Sequence, residues 1–383
     1  MVGRQIKIAV VIPKYGLVGG GELFAFELTE RLAGNPRYDI HVLANQWQGS
    51  TARITFHKIP LITFPKWLTT LSFAWFVAKK LKNLKPDIVH AHDRIFRADL
   101  ATVHSIPHMT WVKEIRGKKV PSLFDLATSW VERRMFERGG CQKVLPVSSL
   151  AAEKLCAIYP FLREKIEIMS PGVDLVRFGP SRTDWRREVR QEFGVGHEDF
   201  LALFVGMNFA LKGLEPLMRA IAMAQQHVPI RKVSLLVVGK GDSQKFRHLA
   251  QELGIDGQVV FAGVRRDMER IYQAADAFCL LSQFDTFGMV VLEAMAAGVP
   301  VIVSDRVGAR DLVEHGRNGF VVEREDTGAI AASIEYLMEP EAHRVCSAAA
   351  GHVAAAKSWE HVAGRCGELY EKILGEKNAN CGL

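Results

Sequence analysis

No stretch of this 383-residue sequence is apolar for the roughly twenty residues that a membrane-spanning helix needs, and the longest such run, Trp67–Ala78, stops well short. The six cysteines (Cys141, Cys156, Cys279, Cys346, Cys366 and Cys381) are scattered, with no Cys-x-x-Cys pair. That spacing indicates neither a disulfide framework nor a zinc site. Met1–Ile8 runs straight into strand-like sequence, with no basic stretch, apolar stretch and cleavage site, so a cytoplasmic chain is expected and not a secreted precursor. Short-period repeats and low-complexity tracts are absent, and 21 Phe and 7 Trp are too many for a disordered chain.

What is there outgrows one hydrophobic core, so two domains are expected. Charge divides them. Residues 1–180 hold 26 Lys and Arg against 15 Asp and Glu, a net +11, whereas residues 181–383 hold 23 against 27, a net −4. The basic half points to a polyanionic partner (nucleic acid, an anionic membrane or a phosphorylated glycan) or else is a solvated basic surface.

Short apolar runs rich in β-branched residues alternate with helical patterns, which indicates parallel βαβ layers. Ile6–Pro13, Ile40–Ala44, Asp87–Ala91, Lys143–Val147 and Ile166–Met169 read as strands of the first half. Phe200–Val205, Val233–Val238, Val259–Phe261, Ala277–Leu281 and Pro300–Ser304 read as those of the second. Helices are expected over Glu22–Leu32 and Trp359–Leu374. The expected class is α/β: two Rossmann-like, doubly wound domains facing a central cleft near the carboxyl ends of the strands. Their expected bounds are 1–178 and 179–357, with a linker over Gly179–Thr183. A terminal segment, 358–383, is expected to pack back on the first domain.

Three segments have the composition of a binding site. The first strand empties into Gly16-Leu-Val-Gly19-Gly20-Gly21-Glu22, a turn where backbone N–H groups can approach an oxyanion. Its spacing is not the Gly-x-Gly-x-x-Gly of dinucleotide folds, and the second strand ends in Ala44-Asn45-Gln46 without a ribose-binding acid, so NAD binding is not expected. A plain tight turn is the alternative. In the second half, a buried strand precedes Ser282–Pro300, where a helix opens near Gly288 and leaves the Met289 and Val290 amides unpaired. Glu293 lies in that otherwise apolar helix, so its carboxylate needs donors, either two sugar hydroxyls or a neighbouring backbone. Asp285, on the loop before it, either accepts ligand hydroxyls or simply offsets the helix dipole. In Phe204-Val-Gly206-Met-Asn-Phe-Ala-Leu-Lys212-Gly213, Lys212 is a point cation at a helix start, suited to a diphosphate or else solvated. His90, His92 and His104 are not separable by composition, and no converging ligand set for a metal is visible. Asp-x-Asp occurs nowhere, which argues against a sugar nucleotide held through a divalent cation.

Taken in order, these elements resemble the retaining glycosyltransferases of family 4, with the GT-B fold. The resemblance covers nearly the whole chain and rests on Gly19–Glu22, Asp87-Ile-Val-His-Ala-His92, Pro171-Gly-Val-Asp174, Val205-Gly206 with Lys212-Gly213, Asp285 with Glu293, and Asn318-Gly319-Phe320. It implies that Glu293 holds the nucleotide ribose and that Lys212 stabilises the leaving diphosphate. Asp285, with the Gly288, Met289 and Val290 amides, would grip donor hexose and phosphate, and Gly19 and Gly20 would face the diphosphate. Gly206 and Val264 would line the donor pocket, and His104 would stand near the donor sugar and acceptor. Two departures are visible: Asp285 replaces the usual Glu, and no Arg flanks Lys212-Gly213. Within the family the chain is similar to the lipopolysaccharide core glucosyltransferase I group. That similarity implies a nucleotide-sugar donor such as UDP-glucose, no cofactor and no metal, and a lipid-linked or phosphorylated glycan as acceptor. It also implies peripheral contact with the inner face of the cytoplasmic membrane. The segment Phe64–Lys82 fits an interfacial helix, or a core helix with a solvated end. A sugar-nucleotide epimerase, a mannosyltransferase, a small-acceptor synthase and a non-enzymatic sugar-nucleotide sensor remain alternatives. Nucleic-acid binding has only charge in its favour and is not expected.

Overall fold

Ile8–Val11 and Leu201–Phe204 are apolar at every position, and a strand of that kind needs cover on both faces of a sheet. In the computed structural model, which describes residues 4–17, 19–49, 53–179 and 183–381, both runs are buried at the centres of parallel six-stranded sheets. The first sheet contains β1 (Ile6–Val11), β2 (Tyr38–Ala44), β3 (Ile54–Lys58), β4 (Ile88–Ala91), β5 (Leu100–Val103) and β6 (Lys143–Pro146), in the order β3-β2-β1-β4-β5-β6. The second contains β7 (Phe200–Met207), β8 (Val233–Lys240), β9 (Val259–Gly263), β10 (Ala277–Leu280), β11 (Val301–Ser304) and β12 (Gly319–Val322). Its order, β9-β8-β7-β10-β11-β12, repeats that of the first. Both reverse direction beside their first strand, the doubly wound arrangement in which ligands sit beyond the carboxyl strand ends. The two-domain GT-B class read from the sequence holds.

The chain divides into Met1–Gly172 with Trp359–Leu383, and Val173–Ser358. The sequence reading put the first boundary after Phe178. Leu175–Phe178 is instead a short helix capped by Asp174, tied to the second unit by Arg177–Glu269 at 2.9 Å and by Phe178 edge-on to Tyr272. Residues 180–182 of the expected linker lie outside the described residues. Ile166–Met169 is not a strand; it contributes one bridge, Val144 to Ile166.

Helices α1 (Gly20–Ala33), α2 (Leu68–Leu84) and α3 (Leu123–Arg138) belong to the first unit. Helices α4 (Leu214–His227) and α5 (Met289–Ala296) belong to the second. The last helix, α6 (Trp359–Cys381), returns to the first unit and packs on α1. Trp359 meets Phe24 edge-on at 5.3 Å, Arg31 bonds Glu360 at 2.8 Å, and the Tyr370 hydroxyl reaches His90 Nδ1 at 2.7 Å. Each unit has its own core: Val11, Leu43 and Phe73 in the first, Phe204, Ile221 and Phe246 in the second. Full burial of such a side chain contributes about 1.5–3 kcal/mol. Among the described residues no helix is long and apolar enough to cross a membrane.

Candidate active site

In the second unit the loop after β7 is built by backbone constraints. Asn208 turns the chain with φ 68°, accepts the Lys212 amide at 3.1 Å on its carbonyl, and accepts the Leu211 amide at 3.2 Å on its side chain. Gly213 then opens α4 with φ 82°, and a Cβ there would fall 1.9 Å from the Leu281 carbonyl oxygen. Only glycine allows that approach. A Cβ on Gly206 would lie 2.9 Å from Lys212 Cγ, so Gly206 makes room for the lysine stem. Arg324 braces the same loop, donating to the Leu281 carbonyl at 3.1 Å and the Ala210 carbonyl at 3.2 Å. Burial lowers its pKa from the ordinary arginine value. No guanidinium flanks Lys212 in sequence, yet one arrives from a distant segment to hold its loop.

The loop after β10 is pinned on both sides. Asp285 donates its amide to the Arg306 carbonyl at 3.0 Å and accepts the Gly308 amide at 2.9 Å. Its carboxylate forms an ion pair with the Lys212 ammonium, each side chain about one-fifth exposed at 19% and 22%. Asp285 is thus neither a free hydroxyl acceptor nor a mere dipole charge in this state. Gly288 follows with φ 86° and starts α5 without a side-chain cap. The first bond at that end runs from the Val291 amide to the Gly288 carbonyl at 2.9 Å, so the Met289 and Val290 amides lie before it.

Glu293, just over one turn into α5, is half-buried and accepts the Tyr272 hydroxyl on Oε2 at 2.8 Å. Its donor is therefore a side chain and not neighbouring backbone. Burial raises the carboxyl pKa above the usual glutamate range, an effect that the Tyr272 bond and then Arg177 oppose. Tyr272 is fully buried, with Phe178 and Phe278 edge-on at 5.9 and 6.0 Å. Val264 stands apart, exposed beyond the end of β9, two strands from β7. Lys212, Asp285, Gly206, the α5 N-terminus and Glu293 are thus gathered where β7 and β10 end, whereas Val264 is on the periphery.

The first unit holds the rest of the expected residues. Glu22 folds back over Gly19, where a Cβ would meet its Oε2 at 2.0 Å, and Gly20 begins α1. Gly21 allows α1 to lie against His104, since a Cβ would fall 3.1 Å from the imidazole carbon. The three histidines now separate. His90 is locked between Tyr370 and Thr102, both at 2.7 Å. The His90 and His92 rings are 4.2 Å apart, and His92 Nδ1 shares a proton with His104 Nε2 at 3.1 Å. Burial pushes the pKa of His90 and His104 down to about 3, and holds that of His92 well below its ordinary value. His104 lines a cavity of about 420 Å³ with Lys14, Glu22, His92, Arg94 and Ser105. Arg94 donates to Glu132 at 2.8 Å and to Ser105 at 3.1 Å.

Gly21, Tyr272, Arg324 and Arg94 were not singled out from the sequence. Only Gly21 had a signal, as the last of three consecutive glycines.

Two family profiles match the chain: "Glycosyltransferase Family 4" over residues 18–177 and "Glycosyl transferases group 1" over residues 186–352. An uncharacterized glycosyltransferase of Methanocaldococcus jannaschii is 27% identical, the alignment covering 96% of this chain and 98% of that protein. The D-inositol 3-phosphate glycosyltransferase of Nocardia farcinica is 31% identical over 59% of this chain and 51% of its own length, so the match spans about half of that relative. Among solved structures, WaaG, a glycosyltransferase involved in lipopolysaccharide biosynthesis, superposes with a TM-score of 0.76 at 20% identity, covering 95% of this chain and 99% of WaaG. HepE of Anabaena, solved in complex with UDP-glucose, gives 0.71 at 20% identity, covering 96% and 100%. This chain belongs to the glycosyltransferases, with a family 4 domain followed by a group 1 domain on the GT-B fold.

Proposed function

We propose that the enzyme transfers a hexose, glucose, from UDP-glucose to a lipid-linked glycan such as the lipopolysaccharide inner core, with retention of configuration and without a metal. The observation that supports this reading best is the grouping of Lys212, the α5 amides and the Tyr272-held Glu293 at the carboxyl ends of β7 and β10. One cation, a helix N-terminus and an oriented carboxylate suit a diphosphate and a ribose diol.

In this reading Glu293 accepts the ribose hydroxyls, and Lys212 leaves Asp285 to neutralise the departing diphosphate. Asp285 then accepts hexose hydroxyls, helped by the amides that follow Gly288. Gly19 and Gly20 present backbone N–H groups to the phosphates. His104, neutral at physiological pH, offers its remaining ring nitrogen to the hexose. The C1–O bond to the diphosphate breaks as the acceptor hydroxyl oxygen bonds C1 on the same face. The acceptor proton passes to a diphosphate oxygen.

A second acceptor reading, a small phosphorylated alcohol, is favoured by the relatives named D-inositol 3-phosphate glycosyltransferases. One experiment tests both. The purified protein is screened with UDP-, GDP- and ADP-sugars for thermal stabilisation, and the donor that binds is offered lipid-linked and small phosphorylated acceptors. Stabilisation by UDP-glucose and transfer to the lipid-linked acceptor are expected. No response to any nucleotide sugar would overturn the reading.

A further inference from the structure

The cavity beside His104 lies wholly in the first unit, where β1, β4 and β5 end against α3. Its volume of about 420 Å³ is in the range of small-ligand sites. The charge that lines it runs against that of its surroundings. Residues 1–180 carry a net +11, yet the cavity sets Lys14 and Arg94 against Glu22, Asp93 and Glu132, a net −1. Its histidines add no charge, because burial holds His92 and His104 well below their ordinary pKa.

Arg94 would be the expected seat of a phosphate, but its guanidinium is already engaged. Nε donates to Glu132 at 2.8 Å and Nη2 to Ser105 Oγ at 3.1 Å, while Nη1 stands 3.6 Å from Asp93. Glu132 is held in turn. It accepts the His108 amide and the Tyr159 hydroxyl, both at 3.1 Å, and its side chain is only 5% exposed. Arg94 cannot turn to a ligand without leaving that buried carboxylate uncompensated. Lys14, the other cation, is exposed.

The groups left for a ligand are of another kind. Asp93 accepts the Arg94 amide on Oδ1 at 2.7 Å, and its Oδ2 has no partner among the described residues. Ser105 accepts from Arg94 and keeps its own hydroxyl proton to donate. His92 Nε2 is buried without a hydrogen-bond partner, although a buried polar nitrogen ordinarily has one. A carboxylate, a hydroxyl and an imidazole nitrogen match the hydroxyls of a sugar ring. A phosphate dianion would instead face Glu22 and Asp93, and like charges brought together are costly.

We infer that this cavity receives the accepting residue of the glycan as an uncharged, hydroxyl-bearing ring bonded by Asp93, Ser105 and His92, and that Glu132 withholds Arg94 from phosphate. The inference rests on the transferase reading above and narrows its acceptor. A phosphate borne by the acceptor stays outside the cavity, and a small phosphorylated alcohol is the disfavoured case. Arg94 and Glu132 are positioning residues, since their bonds to Ser105 and to the His108 amide hold the segment that follows His104.

The test uses sn-glycerol 3-phosphate as the phosphate probe, titrated calorimetrically with excess UDP present to occupy Lys212 and the α5 amides. Wild-type protein is expected to show no saturable binding. Glu132→Gln, which removes the charge that holds Arg94, should bind the probe at least about tenfold more tightly. Asp93→Asn spares the buried pair, should gain in the same direction, and carries the test if Glu132→Gln fails to fold. Saturable binding by the wild type that Arg94→Gln abolishes would overturn the inference, and so would the absence of any gain in a folded variant. In a second arm, a lipid-linked core oligosaccharide is offered before and after hydrofluoric acid removes its phosphates. Its kcat/KM should hold or rise on dephosphorylation, and Asp93→Asn should raise the acceptor KM about tenfold with a smaller change in kcat. Loss of transfer on dephosphorylation would contradict the uncharged ring. If neither form is used, the titration alone decides. A protein that ignores every nucleotide sugar refutes the donor reading separately, because the glycerol 3-phosphate titration does not depend on transfer.

Discussion

The Tyr272 hydroxyl, buried under Phe178 and Phe278, donates to Glu293 Oε2 at 2.8 Å and leaves no rotational choice to the carboxylate. A half-buried carboxylate fixed in this way offers its other oxygen to a ligand without first being ordered. Tyr272→Phe should weaken nucleoside diphosphate binding by about tenfold, the scale of one hydrogen bond to a charged group. Because the bond acts through a ribose contact, a 2′,3′-dideoxynucleotide should bind the variant and the wild type alike. Calorimetric titration with both nucleotides checks this; equal losses for both would mean that Tyr272 serves only the fold.

The Lys212–Asp285 ion pair joins the loops after β7 and β10. If the ammonium turns to the departing diphosphate, its removal costs rate more than donor binding. Lys212→Ala should lower kcat by about two to three orders of magnitude, as loss of one charge-stabilising donor does elsewhere. The circular dichroism spectrum should be unchanged. Near-normal turnover by a folded Lys212→Ala protein would refute the role.

Glu293 titrates above the ordinary carboxylate range because burial disfavours its charge. Acidification therefore protonates it sooner than an exposed glutamate near about 4.3, and donor affinity should begin to fall at a higher pH than that. Glu293→Gln should bind more weakly at neutral pH and lose this acid dependence. Nucleotide titrations across the acid range measure both effects.

Much of the fold was legible because its central strands are apolar at every position, as in Leu201–Phe204 and Val301–Val303. The strands Ile54–Lys58, Leu100–Val103 and Gly319–Val322 were not. Ile54–Lys58 is half exposed and has no apolar run, and Thr102 interrupts the apolar residues of Leu100–Val103. Glu293 was readable for the opposite reason, a lone charge in an apolar helix. Its partner was not, because Tyr272 stands 21 residues earlier on another helix. Arg324 comes to the Lys212 loop from 114 residues beyond Ala210, and Tyr370 to His90 across 280. Parallel crossovers create such neighbours, and local pattern carries no trace of them.

Buried His90 and His92 and half-buried His104 form a neutral cluster, and its stability has a pH window. Unfolded, each titrates near about 6.5. Folded, His90 and His104 remain neutral down to about 3. Between these values the unfolded chain binds protons that the folded chain refuses, so the cluster's contribution is full above about pH 6.5 and falls as the pH drops toward 3. Each such proton costs about 1.4 kcal/mol per pH unit. Urea midpoints should therefore decline steadily from neutral pH into this range, and a flat profile would contradict the cluster's neutrality. For the same reason kcat/KM should show no inflection from His104 near neutral pH.

Two glycines around Lys212 should respond differently to alanine. At Gly206 the added methyl meets Lys212 Cγ at 2.9 Å, the middle of a flexible side chain that can swing aside. At Gly213 it meets the Leu281 carbonyl oxygen at 1.9 Å, with φ at 82°, so backbone must move. Gly206→Ala should thus keep its melting temperature within a few degrees and lose about tenfold in kcat as the ammonium is displaced. Gly213→Ala should lose more than about 1 kcal/mol of stability before any question of activity arises. Thermal melts and turnover, measured on both variants, separate the two effects. If Gly206→Ala melts early and keeps its turnover, the glycine serves the sheet and not the lysine.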